Sequence, residues 1–581
     1  MSSNSDVPLL YDVLVLPDTF QLSDITDPPA ADDAPAPTSP PTPTSPFHAD
    51  DPSPDPKGLM HRALGIVEIV SAIVLHLDRP DLAALALTSR LLFPMVVPRL
   101  WEIVSYAGAL SLLRMLHEEM DEFSPCATPE QSHRFTLYAQ HIRQALLVQQ
   151  DSDVQATHLR PAPLPDVDLQ PSQLAILKHL FPKLWLLHVN LKQQTIPRLA
   201  HAFITPTMSA LTVNALDGSY DWNVESFVSF LDRIKAIDPP LIQVAIGELA
   251  HCPEPIKTGI QSLMRQMRSV TDIAMQDFEV GHSLMHDLQD KLKYVSIWSQ
   301  HLCSLAFTPN LRLSLSMSQL TKLELTVFAH EFVAIAHHLK SPLLRNLHIT
   351  SGIICTNWCG PAEVAVALST LALARLEVLS LQIQELNIGL AIEPTEFAFE
   401  RFNAVLGCSR LKRFSFMFHS RSALALSDAD VTTMARAWPL LEQLTIDWKL
   451  TSEFLSTPLT ILHHLGIAEE IFVEAGGLAN PGDLTIQCLT SLKEHCPRLR
   501  SIWFKHLTWS EADELDSVEW QASPGRVDLY VGASYLRTTN VSSAYTYLRS
   551  LWDDIELEWG EENRSAMQWA RVAERFKSSH A

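Results

Sequence analysis

Between Ile66 and Leu77 the apolar residues fall at Ile66, Ile69, Val70, Ile73, Val74 and Leu77. Steps of three and four lay one broad apolar stripe along a helix. His76 and Asp78 interrupt it, and Asp78-Arg79-Pro80-Asp81 restarts a second helix. There a carboxylate is placed to cap free N–H groups, a proline takes an early helical position and a second acid lies in the first turn. Leu82, Leu85 and Ala86 continue that helix, Pro94 limits it, and Pro98-Arg99-Leu100-Trp101 opens a further short apolar piece. A stretch of under about 50 residues with this much apolar surface does not bury it all internally. A second surface, from the rest of the chain or from a partner, must cover the remainder.

From Asp166 onward the pattern changes to a bulky apolar residue followed by others three and five places on. It occurs at Leu184-Leu187-Val189, Met208-Leu211-Val213, Leu320-Leu323-Leu325 and Leu344-Leu347-Ile349. It returns at Leu376-Leu379-Leu381, Leu411-Phe414-Phe416, Leu441-Leu444-Ile446 and Leu499-Ile502-Phe504, with weaker versions starting at Leu241, Val270 and Leu292. The last two positions alternate as a strand requires, and the first turns the chain into it. Pro182, Pro206, Pro342, Pro439 and Pro497 each stand two residues before the first apolar position. Helix-like stretches such as 427–438 and 484–496 precede several of them, so the proline ends a helix before a strand begins. One such unit buries its apolar side only by stacking on the next. A HEAT-like helical array, with these segments as helical turns, is the rival architecture.

Residues 1–56 contain no Lys or Arg but many aspartates, and 28–56 are rich in Pro, Ala, Ser, Thr and Asp. This composition cannot offset its ordering entropy by burial, so residues 1–57 are expected to be a disordered tail. The rest divides into a helical module at 58–106, a connecting segment at 107–165, repeats at 166–560 and a closing helix at 561–581. The net charge of −23 argues against nucleic acid as a partner. No apolar run approaches a membrane span, and Val7–Phe20 lacks the basic flank of a secretory signal. The eight cysteines form no paired C-x-x-C array. Reduced thiols in the cytosol or nucleus are therefore expected, without a metal site.

The chain contains no phosphate loop, no G-x-S-x-G elbow and no zinc helix: His330-Glu331 is followed by Ala334 where the second histidine would stand. No catalytic group and no cofactor are expected.

The first segment resembles an F-box of the type common in fungal, basidiomycete-type proteins. Leu64, Ile66, Glu68, Ile69, Ile73, Leu77, Leu82, Leu85, Arg90, Leu100 and Trp101 fit that motif. Val67 departs from it where a proline usually opens the first helix, and Leu92 where tryptophan is common. The later units resemble the irregular leucine-rich repeats found behind F-boxes, closest in SDADVTTMARAWPLLEQLTI and CLTSLKEHCPRLRSIWF. The resemblance implies an α/β chain: a three-helix F-box, then a leucine-rich-repeat solenoid with parallel strands on the concave side and helices outside. It also implies that Leu64, Ile66, Ile69, Ile73, Leu77, Leu82, Leu85 and Trp101 bind a Skp-family adaptor, and through it a cullin, while the repeats choose a protein substrate for a ubiquitin ligase. The alternative is a protein-binding repeat scaffold with no ligase role, its first helices packed on its own repeats.

Overall fold

The computed structural model describes residues 67–88, 91–114, 129–147, 181–191, 198–215, 222–247, 252–276, 278–298, 315–354, 361–386, 396–420, 423–450, 484–505, 507–509, 523–532, 534, 536–560 and 566–580. The tail expected at residues 1–57 lies outside them, as do Leu64 and Ile66. The chain forms two compact units, residues 1–69 and 70–581. Of the first, the described part is 67–69, the opening of a helix.

Among the described residues three helices come first: α1 (Val67–His76), α2 (Arg79–Thr88) and α3 (Phe93–Leu100). The restart expected at Asp78 is present, with its Oδ1 accepting the Asp81 N–H at 3.0 Å. This satisfies a backbone donor that the helix itself leaves open. The third helix begins at Phe93 rather than at Pro98. Pro94 occupies its first turn, where a missing N–H costs nothing, and Pro98 lies inside it.

Among the described residues a main sheet of fifteen strands follows, beside two short two-stranded pairings. Its strands are β1 (Ile103–Ser105), β2 (Gln144–Leu147), β3 (Leu186–Leu191), β4 (Ala210–Ala215), β5 (Gln243–Ile246), β6 (Asp272–Met275), β7 (Tyr294–Trp298) and β8 (Lys322–Phe328). It continues through β9 (Asn346–Ile354), β10 (Val378–Leu386), β11 (Arg413–Ser420), β12 (Gln443–Leu450), β13 (Ser501–Phe504), β14 (Ser523–Tyr530) and β15 (Trp552–Glu558). Every strand pairs in parallel with its neighbours in chain order, as stacked units do. The architecture is α/β and solenoid-like, and the segments that a helical array would make into turns are strands. The sheet starts at Ile103, well before the repeat start expected at 166, because two strands lie within 103–147.

The apolar spacing explains the register. Leu187 pairs with Leu211 and Val189 with Val213. The same two positions continue without a slip through Val244 and Ile246, Leu323 and Leu325, Leu379 and Leu381, to Ile502 and Phe504. All of these are buried. The first apolar position closes a turn. In the five proline-bearing units its N–H donates to the carbonyl three residues back, from Leu184 to Phe181 at 3.2 Å through Leu499 to Cys496 at 3.1 Å. Proline thus sits second in the turn, where its fixed φ suits the geometry. Helices cover the core face, with Phe227, Phe230, Leu231 and Ile234 buried from Val224–Ile237. The helix expected at 427–438 spans Asp428–Ala437, capped by the Ser427 hydroxyl and Asp430. At the far end Trp569, Val572 and Phe576 of helix Ala566–His580 close the core, and the Trp569 indole N–H donates to Ser534 O at 2.9 Å.

Candidate docking surface

The helices α1 to α3 hold a small core of their own. Val70, Val74, Leu82, Ala86, Leu92 and Val96 form one buried cluster, separate from the large cluster beneath the sheet. Leu77, Leu85, Phe93, Met95 and Leu100 pack against it from partly buried positions. Six inward side chains cannot absorb the apolar stripe of α1. Val70 and Val74, one turn apart, point in, while Ile73 is 40% exposed and Leu75 64%. On α2, Leu82 and Ala86 face the cluster and Leu87 is 88% exposed. Leu91, between α2 and α3, is 83% exposed. Among the described residues nine large apolar side chains are exposed, and five of them lie from Ile69 to Leu91. Isolated exposed leucines are ordinary, and this concentration on a short module makes it the candidate docking surface.

The residues that the sequence assigns to adaptor contact divide three ways. Ile69 and Ile73 are exposed and Leu77 and Leu85 half-buried. Leu82, at 3% exposure, is a core residue of the module. Trp101 also turns inward: it packs on the main core and stacks on Tyr138 with ring centroids 4.8 Å apart. The cause is legible in its spacing. Trp101, Val104 and Tyr106 repeat the turn-and-strand pattern of the later units, and Val104 pairs with Ala145 in the sheet. Leu75, Leu87 and Leu91 were not singled out by periodicity; only the limited size of the module's core exposes them. Arg79 fastens α2 to the first strand through Nη2, which donates to Ile103 O at 2.5 Å and Leu100 O at 3.2 Å.

A polar group lies on the sheet face opposite the core. Glu324, 8% exposed, accepts from Tyr294 Oη at 2.6 Å and Ser296 Oγ at 3.3 Å and pairs with Lys322 Nζ at 3.1 Å. Burial, then the Glu324 charge, pushes the Tyr294 hydroxyl far above its ordinary range. Burial lowers the neighbouring His348. A carboxylate held by two hydroxyl donors and an ammonium is neutralised in place, so the group braces β7 and β8. Among the described residues no three His, Cys, Asp or Glu side chains converge as a metal site, and no helix is long and apolar enough to cross a membrane. The four described cysteines, Cys252, Cys408, Cys488 and Cys496, are buried free thiols.

At the start of the later strands the residue after the first apolar position is charged in Arg345, Glu377, Lys412, Glu442 and Arg500, and Asp528, in register with Ser501 one place further on, ends the ladder. Backbone N–H groups of Glu377, Lys412, Glu442, Arg500 and Asp528 each donate to the carbonyl of the residue before it in the series Arg345, Glu377, Lys412, Glu442, Arg500, at 2.7–2.8 Å. The signs alternate along the series. Lys412 Nζ donates to Glu377 at 2.7 Å and Arg345 lies 3.7 Å from it. The Lys412 hydrogen bond holds the Glu377 carboxyl below its usual range.

No family model and no curated protein matches the chain. Among solved structures it is similar to a Bacteroides fragilis protein from a structural genomics consortium, at 11% identity and a TM-score of 0.22, covering 44% of this chain and 64% of that one. It is also similar to a chain in the crystal structure of a TLR13–ssRNA13 complex, at 12% identity and a TM-score of 0.31, covering 74% and 52%. This chain therefore spans less than two thirds of either. At these TM-scores neither similarity bears on what the protein does.

Proposed function

We propose that this chain is a non-catalytic recognition subunit of an SCF-type ubiquitin ligase. Its first helices act as an F-box that binds a Skp-family adaptor and through it a cullin. Its strand–helix units act as irregular leucine-rich repeats that choose the protein substrate, in the cytosol or nucleus. The observation that carries the reading is the apolar excess of α1 and α2: a self-contained core with Ile73, Leu75, Leu87 and Leu91 left outside it. Ligation would then follow from placement, since holding a substrate near a transferring enzyme raises its effective concentration. Co-purification of the full chain with a Skp-family adaptor and cullin tests this, and failure of the intact chain to retain the adaptor removes it.

The second reading is a repeat scaffold without a ligase role. It is favoured by the Arg79 bonds to the first strand and the Trp101–Tyr138 stack, which fasten the module onto the sheet as a cap would be. Adaptor binding separates the two readings.

A further inference from the structure

In the second half of the sheet the segments at the starts of β9 to β14 read PLLRN, LARLE, SRLKR, PLLEQ, PRLRS and PGRVD, the last lying within β14 itself. These six segments hold eight basic residues and three acidic ones in a chain whose net charge is −23. Two of their three acids, Glu377 and Glu442, alternate in the ladder with Arg345, Lys412 and Arg500, and the third, Asp528, is taken up by Arg526. The flanking cations are therefore in excess. Arg526 pairs with Asp528 and Glu556, but Arg375, Arg413 and Arg498 are exposed and have no ion pair among the described residues. Arg410, also exposed, acts on Glu377 only at long range. Adjacent parallel strands lie about 4.8 Å apart, so these arginines stand in a row along one edge of the sheet. Toward its end a cavity of about 450 Å³ opens, lined by Glu442, Lys493, Arg498, Arg500, Arg526 and Trp552 among others. Its lining holds four cations and one carboxylate, with Arg526 already engaged by Asp528 and Glu556.

We infer that this strand-start edge, from Arg375 to the cavity at Arg498, docks an extended, carboxylate-rich segment of a protein partner. The inference deepens the proposed function by naming the partner's chemistry, and it rests on the repeats being the selecting surface. Guanidinium groups bind carboxylates through paired N–H donors, and a row of them fits several acids along one extended strand better than a single small anion. A polynucleotide fits less well, because its unbroken phosphate charge meets three carboxylates on the edge and a strongly acidic protein around it.

The test uses the full chain and a fluorescent peptide of about twelve residues alternating Asp or Glu with Gly and Ser, read by anisotropy. Arg410→Glu with Arg498→Glu leaves the ladder intact and weakens binding at least about tenfold, while R571E/K577E on the last helix leaves it unchanged. R410Q/R498Q, which adds no negative charge, weakens it by a smaller factor, and added salt weakens wild-type binding. A peptide with Asn and Gln in place of the acids binds at least about tenfold more weakly. Equal affinity for the Asn/Gln peptide, no loss in either arginine variant, or tighter binding of a phosphoserine peptide or a single-stranded RNA of the same length overturns the inference. Adaptor co-purification is scored in parallel. Loss of the adaptor from the wild-type chain removes the ligase reading, while the peptide titration still judges the edge by itself.

Discussion

Leu82 and Leu87 lie five residues apart on one helix and should fail in opposite ways. Leu82 is 3% exposed in a six-residue cluster. Truncating a buried leucine to alanine costs about 2–5 kcal/mol through lost transfer energy and the cavity left behind. A core this small has few other contacts to absorb that loss, so Leu82→Ala should open α1 to α3 locally. Amide exchange should lose protection in α1 to α3 while strands β3 to β12 keep it. The triple variant Ile73→Ser, Leu75→Ser, Leu87→Ser acts on side chains that are 40%, 64% and 88% exposed. Its stability should change by no more than about 0.5 kcal/mol per site, chiefly through helix propensity. Burying a leucine-sized side chain in an interface is worth about 1.5–3 kcal/mol. If a partner covers even two of the three, affinity falls by about 3–6 kcal/mol, roughly a hundredfold to ten-thousandfold. Calorimetric titration of purified adaptor into each variant reads the affinity, and amide exchange reads the fold. Wild-type affinity in a folded triple variant would refute the assignment of the contact. Full protection of α1 to α3 in Leu82→Ala would refute the claim that this cluster is the module's own core.

Three further outcomes follow from the main sheet. Phe416 is fully buried, with ring centroids 5.1 Å from Phe402 and 5.9 Å from Phe399, so Phe416→Ala should cost about 3–5 kcal/mol in urea unfolding. Burial, with His286 and His338 nearby, lowers His282 to about 4. The unfolded chain then binds more protons than the folded one between about 6.5 and about 4, so the stability present above that window is lost as pH falls through it. Partial exposure screens the charge, so the loss should be about 1–2 kcal/mol, and His282→Gln should flatten the slope of melting temperature against pH. Burial raises the Cys408 and Cys496 thiols to about 12, so neither should be alkylated at neutral pH in the native protein and both should react in denaturant.

The strands were legible because each apolar position has one job that spacing reveals. Leu376 closes a turn, Leu379 and Leu381 enter the ladder, and all three are buried. The same rule identifies what was missed. β2 escaped notice because Ala145 replaces a bulky residue in Ile142-Ala145-Leu147. β15 did because Trp552 reads as the end of the preceding helix, although Trp552, Ile555 and Leu557 keep the spacing. Trp101 was assigned to a partner when its place three residues before Val104 makes it the first turn position of the sheet. The docking surface was less legible. Periodicity gave α1 one stripe, yet burial separates Ile73 from Val74, and that choice between adjacent residues depends on how much volume α2 and α3 supply.

The charge pattern at the strand starts depends even more on the frame. In linear sequence Arg345, Glu377, Lys412, Glu442, Arg500 and Asp528 are separated by irregular gaps, so no motif search joins them. Only the backbone bonds between successive units bring them into one row, where opposite signs meet across a strand spacing. A row that alternates in sign has a preferred order of neighbours: exchanging adjacent units would place like charges side by side. The apolar ladder fixes the register along the strands but not this order, because leucine, isoleucine and phenylalanine pair with one another almost interchangeably along it. The buried positions therefore hold the sheet together in register, while the rim charges discriminate between neighbouring units. The arginines left over from that balance are the ones with charge available for a partner.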